Sequence, residues 1–181
     1  MPLLRLALIA ALTALPVLAE EDPGGDLNPE EMTLNSIIDR AARGESSMVV
    51  CMQGYFAVKS ADYAGGKTIL DACAEEFTAA MHWQSYMEHN GLGRPEDPAK
   101  AAEWDRRAAE RGDPVGQFNY GLDLLRGHGI ARDPIAGRRW IDRAASAGLE
   151  DAIRLQGSGY DPDEVTPDAD KWKYEADDKI Y

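Results

Sequence analysis

Residues 116–148 read GQFNYGLDLLRGHGIARDPIAGRRWIDRAASAG, and residues 80–112 read AMHWQSYMEHNGLGRPEDPAKAAEWDRRAAERG. Laid together without a gap, Gly91 and Gly93 fall on Gly127 and Gly129, Asp97 and Pro98 on Asp133 and Pro134, and Trp104 on Trp140. Ala108 and Ala109 fall on Ala144 and Ala145, and Gly112 on Gly148. The offset from Asp97 to Asp133, and at every other pair, is 36 residues. A self-similar period of this size marks stacked helix pairs. The expected fold is therefore all-α, an α-solenoid of stacked antiparallel helix hairpins with an irregular C-terminal tail. Such stacks are usually binding surfaces, which argues against an enzyme.

The punctuation of the repeat has physical reasons. Asp97 and Asp133 are placed to cap helices by accepting from the free N–H groups of the next turn. Pro98 and Pro134 follow at the first helical position, where a missing N–H costs nothing. Asp113 and Pro114 start another helix in the same way. Gly112 and Gly148 suit the left-handed position after a helix. Gly91, Gly93, Gly127 and Gly129 shape the turn between helices. The paired alanines and Gly121 are small because helices approach closely there. Trp104 and Trp140 are large because they fill the space between successive pairs.

Working outward, the pattern thins. Thr33 can cap a helix to Arg43 with Leu34, Ile37, Ile38 and Ala41 on one face, ended by Gly44. Ser46 or Ser47 opens the next helix, to about Lys59. Asp62 to Glu76 is a worn copy of the second helix, with Gly66 on Ala101 and Ile69 on Trp104. A half copy starts at Asp151, with Gly157 on Gly121, and Pro162 and Pro167 break the segment after it. The organisation expected is a signal peptide at 1–19, a disordered acidic arm at 20–31 and a helical repeat domain at 32–160. That domain holds a degenerate repeat at 47–77, repeats at 80–112 and 116–148 and a half repeat at 151–160. An acidic tail at 161–181 follows, read as a cap with Trp172 and Tyr174 as anchors.

The leader has a positive Arg5, an apolar run from Leu6 to Leu15 and small residues at Val17 and Ala19, which suit a cleavage site. Periplasmic export is the reading. The alternative is an inner-membrane anchor kept by an uncleaved leader, against which Leu6 to Ala19 is short for a span. An oxidising compartment favours pairing the two cysteines, Cys51 and Cys73. Both lie at the same distance from Asp62, so an antiparallel hairpin turning there sets them at one height. Two free buried thiols are the alternative; a metal site has no further ligand at suitable spacing.

The chain is acidic, with 32 Asp and Glu against 19 Lys and Arg. That argues against nucleic acid and anionic lipid as partners and favours a basic or neutral protein. No cofactor is called for. His82 and His89 lie seven apart on one helix with Glu88 between, a faint metal pattern that ordinary solvated positions explain. Asp161, Asp163 and Glu164 begin like a calcium loop but lack its Gly and closing Glu. No metal site is therefore assigned. Asp105, Arg106, Arg107 and Glu110 read as a solvated, ion-paired face.

With its small residue, Gly five on, G-x-G, Asp, Trp and A-A-x-x-G, the pattern resembles the Sel-one-like repeats, relatives of tetratricopeptide repeats. The copy at 80–112 departs from it: Ser85 replaces the first-helix Gly, Gln84 a Leu and Arg94 an apolar residue, which suggests a less regular first-helix face. The resemblance implies an α-solenoid that binds proteins, since family members serve as adaptors, assembly factors and periplasmic regulators of membrane sensors. Secreted cysteine-rich members carry disulfides within a repeat, similar to a Cys51–Cys73 bridge. Some secreted members have been labelled β-lactamases, but S-x-x-K, H-E-x-x-H and G-x-S-x-G are absent here, and no catalytic residue is assigned. First helices of such repeats line the concave surface, which makes His82, Trp83, Tyr86, Asn119, Tyr120 and Asp123 the candidates for partner contact, beside Trp172 and Tyr174 of the tail. The function expected is a non-enzymatic periplasmic interaction module, whose partner is a membrane-associated complex or sensor. The alternatives are an accessory or assembly subunit of an inner-membrane complex and, last, a cell-wall-acting enzyme.

Overall fold

The computed structural model describes residues 33–164. The expected signal peptide, the arm at 20–31 and most of the tail, with Trp172 and Tyr174, lie outside the described residues. Eight helices follow one another: α1 Leu34–Ala42, α2 Met48–Lys59, α3 Tyr63–Cys73, α4 Thr78–His89, α5 Pro98–Glu110, α6 Pro114–Arg126, α7 Pro134–Ser146 and α8 Glu150–Gly157. A short 3-10 turn, Pro162–Glu164, ends the described chain, which holds no strand.

The caps sit where the sequence puts them. Side chains of Thr33, Asp62, Asp97, Asp113 and Asp133 each accept from a backbone N–H of the following turn, at 2.9–3.3 Å. Each such bond is worth about 1 kcal/mol to its helix. Proline stands in the first turn of α5, α6 and α7.

Helices α2 and α3, α4 and α5, and α6 and α7 form three antiparallel pairs. Helix α1 packs on α3, and α8 closes the other end against α7. Successive first helices touch, α2 with α4 and α4 with α6, while successive second helices pack less. The stack thus curves with α2, α4 and α6 on its inner side. The second glycine of each inter-helix turn sets the spacing. Gly93 has φ +72° and a Cβ there would lie 2.6 Å from Tyr63, the first residue of α3. Gly129 has φ +68° and a Cβ would lie 2.0 Å from the Pro98 carbonyl oxygen, at the start of α5. The same contact therefore registers each pair on the one before it, and only glycine satisfies both the angle and the space.

Two apolar clusters fill the stack. The larger spans α1 to α5 around Ile37, Val50, Ile69, Leu70, Met81 and Met87. The smaller spans α6 to α8 around Phe118, Leu122, Leu125, Ile141 and Leu155. Trp104 and Trp140 are partly buried, and each carries an arginine over its ring: Arg107 at 4.5 Å and Arg143 at 4.4 Å. This W-x-x-R contact repeats with the period, and each instance is worth about 0.5–1 kcal/mol. Cys51 of α2 and Cys73 of α3 are joined by a disulfide, with Cα atoms 5.7 Å apart. It staples the worn first pair, and the loop it closes gives roughly 3 kcal/mol on chain-entropy grounds.

Candidate functional site

The inner face has two chemically different ends. At the α2 end, the apolar residues do not stop at the core. Val50, Ala57 and Val58 are buried, yet Met48, Met52 and Phe56 on the opposite side are 57 %, 54 % and 52 % exposed. Tyr55 links this strip to α4, its ring 4.7 Å from Trp83, which stands 5.2 Å from Tyr86. Phe56 meets Tyr55 edge-on at 5.1 Å. Lys59 lies over Trp83 and Tyr86, its Nζ 5.5 and 5.8 Å from their centroids. The product is a platform of four touching rings with one cation, flanked by exposed methionines on the same side of α2.

Toward α6 the same face turns polar. Ser85 donates from Oγ to Asp105 Oδ2 at 2.5 Å, deep between α4 and α5. The Asn119 amide donates to Asp105 Oδ1 at 3.3 Å, and His89 Nε2 lies 3.6 Å from Oδ2. Asp105 is thus buried, contrary to the solvated face expected of it, because three polar groups from α4 and α6 converge on its carboxylate. Gln84 donates to Asp71 at 2.6 Å, and Arg94 pairs with buried Glu88 at 3.0 Å. The departures at Gln84, Ser85 and Arg94 therefore leave α4 regular: Gln84 and Ser85 are buried and Arg94 partly buried, each against a polar partner.

The remaining candidates fall into distinct roles. His82 is drawn to Asp113, Nε2 to Oδ1 at 2.8 Å, and Thr78 donates to the same carboxylate at 2.6 Å. Burial raises the Asp113 carboxyl, but the bonds from His82, Thr78 and the Gly116 N–H outweigh it and hold the group well below the usual range. His82 is therefore a tie between α4 and α6. Tyr120 packs edge-on to Trp140 at 5.7 Å. Asp123 is 6 % exposed, its Oδ1 3.7 Å from His128 Nδ1. Burial pushes its carboxyl up to about 6, although the His128 contact works the other way. Nothing in the repeat pattern marks Met48, Met52, Tyr55 and Phe56. The available signal was that α2 is apolar around its whole circumference, a pattern of a helix covered on all sides.

With that geometry in place, residues 78–113 and 114–149 each match the family model of the Sel1 repeat. The chain carries two Sel1 repeats. Its two matched repeats are the α4–α5 and α6–α7 pairs. A Sel1 repeat protein from Oxalobacter formigenes is 26 % identical, with a TM-score of 0.58, covering 68 % of this chain and 97 % of its own. A protective antigen of uropathogenic Escherichia coli strains that displays an SLR fold is 22 % identical with a TM-score of 0.53; the alignment covers 71 % of this chain and 34 % of that one. Helicobacter pylori cysteine rich protein B is 20 % identical with a TM-score of 0.53, covering 73 % and 98 %. No curated protein matches the sequence. Sel1-repeat proteins are protein-interaction modules, and the family is generally a non-catalytic binding scaffold. No helix among the described residues is long and apolar enough to cross a membrane.

Proposed function

We propose that this Sel1-repeat protein is a periplasmic adaptor or regulator that docks a protein segment across α2 and α4. The observation that carries the reading is the platform of Met48, Met52, Tyr55, Phe56, Trp83 and Tyr86. Its α2 residues are exposed, and its four rings, with Trp83 and Tyr86 partly buried, run in contact from α2 to α4. Rigid aromatic side chains give large contact area at low entropic cost, and such residues carry most of the energy of protein interfaces. The excess of acidic residues favours a neutral or basic partner. The disulfide and the apolar leader support export, with a membrane-associated complex or sensor as the partner.

The test is co-purification from cells of the source organism, solubilised in mild detergent. The doubly substituted Phe56→Ser, Trp83→Ala chain should retain its helical circular dichroism and lose the co-purifying protein at least ~30-fold, the scale of a lost aromatic anchor. Equal recovery by both chains overturns the assignment of the site.

A further inference from the structure

We propose that His89, Asp123 and His128 form a binding site for a borderline divalent transition metal, with zinc as the natural probe. One ligand atom from each residue lies within 4.8 Å of the other two. Four ligands around tetrahedral zinc stand about 3.3 Å apart, so a small closure brings the three onto one ion. The His89 and His128 rings are stacked nearly parallel, 5.0 Å between centroids and 9° between planes.

A second observation points into the cluster independently. Asp123 Oδ2 is buried and has no hydrogen-bond partner among the described residues. An orphaned carboxylate oxygen at that depth is costly unless something positive meets it. Arg126, one turn further along α6, is half-buried and feels the Asp123 charge, but it donates to the Pro162 carbonyl at 2.6 Å. Asp105, beside His89, is placed to orient that imidazole, as carboxylates behind metal-bound histidines do. The negative ends of α4 and α6 also converge here, since His89 is the last residue of α4 and Asp123 lies in the last turn of α6.

Two imidazoles and a carboxylate suit zinc, nickel or copper better than calcium or magnesium. Three protein ligands leave a fourth position for water or a partner's side chain. The ion would tie α4 to α6 and to the glycine-flanked turn that holds His128, linking the two Sel1 repeats. The two histidines lie in different repeats, which is why no ligand spacing shows in the sequence.

The experiment is zinc titration of untagged, metal-stripped full-length protein by calorimetry, with cobalt absorption as a second readout. One ion should bind per chain, giving tetrahedral cobalt bands and a raised melting temperature. His128→Ala, at a half-exposed turn position, should weaken binding at least ~10-fold and abolish the cobalt bands. His89→Gln should do the same, whereas His82→Gln should bind as the wild type does. Absence of binding, or binding unchanged by His128→Ala, overturns the site. The outcome is independent of the α2 platform, since no residue is shared.

Discussion

The α4–α5 pair and the α6–α7 pair share one 36-residue frame, measured from Asp97 to Asp133, and fill the same contact with opposite chemistry. In α6–α7, Gly121 lies against Ile141 so closely that a Cβ would meet its Cδ1 at 2.7 Å. In α4–α5, Ser85 and Asp105 occupy those positions and join by a 2.5 Å hydrogen bond. The worn first pair sides with the apolar solution, Gly54 lying against Leu70. The same holds nearby: Glu88 and Arg94 form an ion pair where Leu124 and Ile130 stand one period on. The helix frame thus accepts either a polar or an apolar filling at this contact. The middle pair is free to carry a buried polar network, provided every member has a partner.

Moving the polar pair into the last copy, Gly121→Ser with Ile141→Asp, places a carboxylate among Phe118, Leu125 and Leu155 without the Asn119 and His89 partners. Urea unfolding should show a loss of at least ~4 kcal/mol. A loss under about 1.5 kcal/mol would mean that the two sites are interchangeable.

The next effect is that of the staple. Replacing Cys51 and Cys73 together with Ala should cost about 3 kcal/mol. Hydrogen exchange should accelerate across α1 to α3 and stay unchanged in α6 and α7. Uniform acceleration would contradict the view that the disulfide serves the worn copy alone.

Asp105→Ala should cost about 2–3 kcal/mol, because Ser85, Asn119 and His89 each lose a partner. Converting the pair, Ser85→Gly with Asp105→Ile, should recover about 1 kcal/mol of that loss, since it removes the Ser85 hydroxyl and fills the space while Asn119 and His89 still lack their partner. A double variant as unstable as the alanine would show that α4 needs its polar network.

The smallest effect is a pH dependence. The Asp113 carboxyl sits below its unfolded value, so its contribution is complete above about pH 4 and is lost as the pH falls further. Because Asp113 is partly exposed, solvent screening limits the term to roughly 1 kcal/mol. Asp113→Asn should flatten the acid limb of the stability profile by that amount, and an unchanged limb would count against the His82 and Thr78 ties.

Much of the fold was legible in the sequence, because its determinants are local. Asp97, Asp113 and Asp133 announce helix starts, Gly93 and Gly129 announce turns, and the spacing of Trp104 and Trp140 fixes the stacking. The disulfide was legible because Cys51 and Cys73 flank the Asp62 turn evenly. Ser85 and Arg94 stand out as departures, but their meaning is hidden: Asp105 reaches Ser85, and Glu88 reaches Arg94, only through tertiary packing. The platform on α2 was hidden for a different reason. The worn copy obscures which side of that helix faces the stack, so exposed Met52 and Phe56 look like core beside Val50 and Ala57.

On the proposed function, partner contact concentrates on α2 and α4. Site-specific photo-crosslinking in cells of the source organism tests it most directly, with the photoreactive residue at Phe56, at Tyr86, and at Ile135, a more exposed apolar position on α7. The account predicts one discrete crosslinked protein at positions 56 and 86 and none at 135. Crosslinks to that protein at 135, with none at 56 or 86, would place the binding surface on the other side of the stack and contradict it.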